Sequence, residues 1–218
     1  MTMNRMKLIA GAAAVAATSI LLVGCEDSIE GAVNGSKEST SSSYDITEKV
    51  TSINLDNKGG DIQLTASDST VIKVTEEVTY TSDKPATEHK VSGGELRLTA
   101  GSCDKGNCGV RYRIEMPRTV SVKISSDGGD VTGRGLAADT DLSTEGGQVN
   151  LVFSKAPNTV EASTAGGDVT VTVPSGSYAV DASTDGGERS VTVQTDSSST
   201  HRIKLRTDGG DVTVKPGS

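Results

Sequence analysis

Thr164-Ala165-Gly166-Gly167-Asp168-Val169-Thr170-Val171-Thr172-Val173-Pro174 decides how this chain folds. From Val169 onward apolar and polar residues alternate strictly. A period of two sets Val169, Val171 and Val173 on one face of a strand and Thr170 and Thr172 on the other. The β-branched residues favour an extended backbone, and Gly166-Gly167 supplies the backbone freedom of a sharp corner before the strand begins. Outward along the chain the grammar repeats. Val120 to Ile124 and Ile203 to Leu205 lead into Ser/Thr-x-Gly-Gly corners. Val149, Leu151 and Phe153, then Val191 and Val193, then Val212 and Val214, alternate after such corners.

The glycine pair followed by an acid or amide occurs at Gly59-Gly60-Asp61, Gly93-Gly94-Glu95, Gly128-Gly129-Asp130, Gly146-Gly147-Gln148, Gly166-Gly167-Asp168, Gly186-Gly187-Glu188 and Gly209-Gly210-Asp211. Successive starts are 34, 35, 18, 20, 20 and 23 residues apart, and the first two gaps read as about two units each. A period near 20 residues marks a repeat architecture. Two all-β folds fit. One is a right-handed parallel β-solenoid or β-helix-like stack, one unit per coil, with glycine corners aligned along an edge. The other is an antiparallel β-sandwich in which each Gly-Gly closes a hairpin. Constant spacing favours the solenoid, because stacked coils must repeat the same corner.

The strand, Gly-Asp-Val corner and strand ending near Pro, with the crossing Asp130-Val131-Thr132-Gly133-Arg134-Gly135-Leu136, resemble the bacterial family called putative adhesin, domain of unknown function 4097. The resemblance runs from about Ile53 to the C-terminus. It implies an exported or membrane-tethered β-repeat domain and carries no catalytic residues.

A single coil buries too few aliphatics to offset its backbone entropy, so several must stack and the ends must be guarded. Lys215-Pro216 suits a guarded last edge. Residues 67–117 depart from the period. Their longer alternating strands, Ile72 to Tyr80 and Val110 to Met116, are expected to form an irregular capping part.

At the N-terminus, Arg5 and Lys7 precede an apolar run from Leu8 to Val23, and Leu22-Val23-Gly24-Cys25 resembles the bacterial lipobox. The run is 16 residues, short of the roughly 20 that span a bilayer, and acidic Glu26 and Asp27 follow it. Residues 1–24 are therefore read as a lipoprotein signal peptide and Cys25 as the acylated, palmitate-bearing residue. This predicts a lipid-anchored protein on the extracytoplasmic face of the cell membrane. Residues 25–44, rich in Ser, Gly, Thr, Lys and Glu, read as a flexible tether, and 45–218 as the β-repeat domain.

The net charge is −8, and −10 without the first 24 residues, which makes nucleic acid an unsuitable partner. With no Trp, one Phe and four Tyr, platforms for stacking bases are scarce. Cys103 and Cys108 are expected to pair as a disulfide outside the cytoplasm. His89 and His201 are expected to be solvated, and neither has metal-site spacing from the thiols, so no metal and no cofactor is expected. Aligned corner acids raise calcium as an alternative. Hydrogen bonding to corner amides is the simpler role for them. No catalytic motif is present. An envelope polysaccharide-acting enzyme on a β-helix is the other alternative, with Arg111, Arg113 and Asp130 as its residues to test. The favoured expectation is a non-catalytic envelope scaffold, interaction or sensor-accessory module, whose partner is an envelope protein or glycan.

Overall fold

A computed structural model describes residues 36–217. Eighteen strands carry the fold, and no helix occurs among the described residues. They are β1 (Glu38–Ile46), β2 (Ser52–Asn57), β3 (Ile62–Ser67), β4 (Ile72–Tyr80), β5 (Thr87–Ser92), β6 (Glu95–Ala100), β7 (Cys108–Pro117), β8 (Ser121–Ser126) and β9 (Val131–Leu136). There follow β10 (Thr140–Thr144), β11 (Val149–Phe153), β12 (Thr159–Thr164), β13 (Val169–Val173), β14 (Ser177–Thr184), β15 (Arg189–Val191), β16 (Gln194–Thr195), β17 (Arg202–Thr207) and β18 (Val212–Pro216).

The strands form two nine-stranded, mostly parallel sheets, ordered β1-β4-β7-β3-β9-β11-β13-β18-β15 and β16-β14-β17-β12-β10-β8-β2-β6-β5. Each coil contributes one strand to each sheet, so the molecule is a two-sided β-solenoid. Alternation becomes layers: Leu98, Leu55, Ile124, Leu142, Ala162 and Leu205 lie in register inside the second sheet. They face Ile114, Leu64, Leu151, Val171 and Val214 of the first, and all of these are buried. At about 1.5–3 kcal/mol per buried large aliphatic, these ladders are the main cohesive term. Gly133 interrupts the ladder of the first sheet, and the side chains of Leu136 and Leu151 fill its place.

The coils do not stack in chain order. The sequence of layers is β6–β7, β2–β3, β8–β9, β10–β11, β12–β13, β17–β18, β14–β15. The chain's last coil is thus inserted between two earlier ones, and β2–β3 lies beneath a coil that comes after it. This corrects three expectations. Lys215-Pro216 guards no edge, because β18 pairs with β13 on one side and β15 on the other. The 34-residue gap is not a pair of coils with a missing mark, because it contains the excursion through β4 and β5, whereas the 35-residue gap does hold an unmarked corner, between β6 and β7. And Gly93-Gly94-Glu95 is not a coil corner: both glycines have positive φ, 60° and 83°, and they turn antiparallel β5 into β6. The hairpin alternative thus holds locally, where the two strands are consecutive and no second sheet intervenes.

Residues 38–44, assigned by composition to the tether, belong to β1, which pairs antiparallel with β4 along its whole length. Their Ser-rich composition reflects an exposed edge strand, which needs backbone partners rather than apolar side chains. β4 is in turn antiparallel to β7. Within 67–117, then, β6–β7 is a regular coil, while β4 and β5 extend the two sheets beyond it. The signal-peptide region and Cys25 lie outside the described residues.

Candidate functional site

The glycine corners stack into one edge of the solenoid. Inside it, Asn57, Ser126, Thr144, Thr164, Thr207 and Thr184 stand in register. Their side chains satisfy glycine carbonyls: Asn57 Nδ2 donates to Gly60 O at 3.0 Å, Thr144 Oγ1 to Gly146 O at 2.6 Å, and Thr207 Oγ1 to Gly167 O at 2.7 Å. These interior donors are buried at low cost because they are bonded, while Asn57 Oδ1 has no hydrogen-bond partner among the described residues. Outside, each corner aspartate accepts from the backbone amide of the next layer. Asp130 Oδ1 accepts from Gln148 N at 2.8 Å, Asp168 Oδ1 from Asp211 N at 2.9 Å, and Asp211 Oδ1 from Glu188 N at 2.8 Å. Asp61 Oδ1 accepts from Asp130 N at 3.3 Å. One oxygen of each of these carboxylates is committed to a neighbouring coil, and among the described residues no three His, Cys, Asp or Glu side chains gather to hold a metal.

At the opposite edge of the coils Arg118 acts as a clasp. Its Nη1 donates to Ala66 O, Gly135 O and Ser154 Oγ at 3.1, 2.9 and 3.3 Å, and its Nε pairs with Asp68 at 3.1 Å. Arg111 lies near the β1 end, bonded to Asp61 at 3.2 Å and to Glu77 at 3.1 Å, and Arg113 shares Glu77. These bonds, to Asp61 first and Glu77 second, raise the Arg111 guanidinium further above its ordinary range. Arg111 and Arg113 are therefore engaged in ion pairs, and Asp130 in a bond to a backbone amide. Cys103 and Cys108 are joined as a disulfide closing the turn before β7. His89 is exposed on β5, whereas His201 is half-buried, with Nδ1 2.7 Å from Pro157 O. The Ser/Thr run before His201 concealed this, because the run folds back onto β14, where Ser199 Oγ donates to Ser177 O at 2.8 Å.

The outer face of the second sheet carries the densest chemistry. Register aligns Arg97, Asn54, Lys123, Asp141, Glu161, Lys204 and Asp181 in a single row across the coils. Two contiguous depressions lie on this face and share Thr159 and Glu161. The larger, of about 610 Å³, runs over β12, β17 and β14 and is rimmed by Asp196 and Ser197. Lys123 bonds Asp141 within the row, which raises the ammonium above its ordinary range. A row of charges of both signs at strand spacing can order a long polar ligand through many weak contacts. Alternation alone put these residues outside; their order in the row depends on coil insertion and could not be read from the chain. The outer face of the first sheet is blander, with Thr132, Asn150, Thr170, Thr213 and Ser190 in register.

A crystal structure described as a putative cell adhesion protein from Clostridium sporogenes is similar over 83% of this chain and 100% of its own, with a TM-score of 0.66 at 15% identity. A putative adhesin from Bacteroides fragilis covers 84% of this chain and 99% of its own at 15% identity, with a TM-score of 0.40. None of the curated proteins matches. The family model described as Toastrack DUF4097 matches residues 105–215, from the turn before β7 to the last strand. That match spans half the chain and every coil from β8 onward, and this chain belongs to the Toastrack DUF4097 family.

Proposed function

We propose that the protein is a non-catalytic, adhesin-like module of the cell envelope, anchored to the extracytoplasmic face of the membrane by lipid on Cys25, which binds an envelope protein or glycan along the outer face of its second sheet. The observation that carries the reading is the exposed charged row from Lys123 to Asp181 over a continuous depression, on a scaffold whose coils hold each side chain at fixed spacing. A rigid, shallow, polar face suits many-point contact with an extended partner. Catalysis would need a nucleophile with a base held beside it. The hydroxyls of the corners are instead bonded to glycine carbonyls. The Clostridium sporogenes structure called a putative cell adhesion protein shares the fold on which this reading rests.

The test is crosslinking in intact cells with a photoreactive residue at Glu161, against the same residue at Thr170 on the other sheet. Capture of a discrete partner from position 161 only, lost on Asp141→Lys with Asp181→Lys, supports the reading. Equal capture from both faces, or reproducible glycan turnover by the purified protein, overturns it. Anchoring is tested separately: Cys25→Ala should abolish acyl labelling and release the protein from the membrane fraction.

A further inference from the structure

We propose that the end of the stack formed by β1 and β5 is a two-fold symmetric interface between two copies of this chain. The two ends of the solenoid are built differently. At the far end the sheets finish in the three-residue β15 and the two-residue β16, covered by a loop in which Asp196 accepts from Ser198 N and Ser198 Oγ. Short, covered strands are how β proteins prevent edge pairing. At the near end the sheets finish in the nine-residue β1 and the six-residue β5, each hydrogen-bonded on one side only among the described residues. Neither contains a proline or a bulge, and Lys90 is their single Lys or Arg.

The inward side chains at this end are placed for a symmetric partner. The rings of Tyr44 on β1 and His89 on β5 stack at 4.2 Å with an interplanar angle of 20°, so the two free edges meet at one level of the coil. A two-fold axis through that pair, perpendicular to the stack, lays β1 antiparallel to β1 and β5 antiparallel to β5 of the second copy at the same time. In β5 this register sets Glu88 opposite Lys90 of the second copy, Lys90 opposite its Glu88, and Thr87 opposite its Val91. In β1 it sets Ser43 opposite Asp45 and Ser42 opposite Ile46. No like charges face each other. A register centred on Lys90 or on Glu88 would instead oppose two lysines or two glutamates, so charge selects the one centred on His89. The interface buries the exposed His89 and the half-buried Tyr44 and Val91, and joins the two aliphatic interiors end to end.

The test uses the full chain purified in detergent, with its mass measured by sedimentation over a range of concentrations. The wild type should run as a dimer. Lys90→Glu and Glu88→Lys should each weaken association by about tenfold or more. The double exchange Glu88→Lys with Lys90→Glu should restore it, and a mixture of the two single variants should form the mixed dimer. Both residues are exposed, so each variant should melt like the wild type at concentrations too low for association. His89→Cys should crosslink to its own copy on oxidation, whereas Thr99→Cys, one strand inward, should not. A monomer at all concentrations, or charge variants that dimerise like the wild type, overturns the proposal. So does a foreign chain captured on β1 while the purified protein stays monomeric.

Discussion

A β-carbon on Gly60 would stand 2.6 Å from the carbonyl oxygen of Val110 in the neighbouring coil. The same relation recurs up the corner edge: Gly129 rests on Gly60, Gly147 on Gly129, Gly167 on Gly147, Gly210 on Gly167 and Gly187 on Gly210. The second glycine of each of these pairs is therefore fixed by the neighbouring layer, whereas the first is freer: Gly59, Gly128, Gly146 and Gly166 have nothing within 4 Å of a β-carbon, Gly209 has only ordinary contacts, and Gly186 alone comes close, 3.1 Å from Asp208 O.

Gly167→Ala should accordingly destabilise strongly and Gly166→Ala hardly at all. Gly167 does not have positive φ, so its requirement is close approach alone, and the colliding atoms are backbone that cannot swing aside. Overpacking of this kind costs about 1–3 kcal/mol or more, against about 0.5 kcal/mol or less for an open surface site. Urea unfolding midpoints of the two variants check the pair. Equal losses would mean that the corners are not in contact.

The corner acids support a second expectation. Asp168→Ala removes the acceptor of the Asp211 amide and should cost about 1 kcal/mol, while Asp168→Asn keeps an acceptor and should cost less. Millimolar calcium should leave the melting temperature of the wild type unchanged, since an oxygen of each bonded carboxylate is already occupied. A calcium-dependent rise that disappears in Asp168→Asn would replace the hydrogen-bond ladder with a metal row.

What the chain discloses and what it conceals divide along local and non-local lines. The alternation around Val171 gives strand faces, and the Gly-Gly spacing gives a parallel stack, because both are consequences of one coil's geometry. The order of coils is different. Nothing in Asp211-Val212-Thr213-Val214 distinguishes a terminal layer from an inserted one, as any alternating strand can pair on both sides. The edge role of β1 was hidden for a related reason: an exposed strand such as Ser39-Thr40-Ser41-Ser42-Ser43 has the composition of a linker and is held by β4, which lies about 30 residues later in the chain. The charged row on the second sheet inherits this difficulty, since Lys204 reaches its place beside Glu161 only through the insertion of β17.

Arg118 offers a test of the edge opposite the glycines. Its guanidinium bridges backbone oxygens of two different coils, Ala66 and Gly135, and the hydroxyl of Ser154 in a third. Arg118→Ala should cost about 1–3 kcal/mol through unpaired carbonyls, measured by thermal or urea unfolding. Arg118→Lys should recover little, because an ammonium lacks the planar fork that reaches Asp68 and the carbonyls together. Full recovery by Lys would reduce the clasp to simple charge.

The tyrosines predict the alkaline limit of the fold. Burial, and then the 2.6 Å bond to Glu76, raise the Tyr44 hydroxyl above its ordinary range; burial does the same for Tyr112 and Tyr178, and a bond to Glu38 does so for Tyr80. A proton held more tightly in the folded chain adds stability that is fully present below the ordinary tyrosine value of about 10. It is lost as pH rises beyond that value toward the raised one, because the unfolded chain alone then releases protons. Tyrosinate absorbance should therefore stay low past pH of about 10 and appear in one step with the loss of β circular dichroism. The two hydroxyls near Glu76 should behave differently when removed. Tyr44→Phe leaves the buried Glu76 without its donor and should cost about 1–3 kcal/mol at neutral pH. Tyr112 Oη has no hydrogen-bond partner, so Tyr112→Phe should be neutral or stabilising at neutral pH and should move the alkaline transition upward. A gradual tyrosinate titration near the ordinary value, with the β spectrum intact, would show that Glu76 and its two tyrosines are open to water.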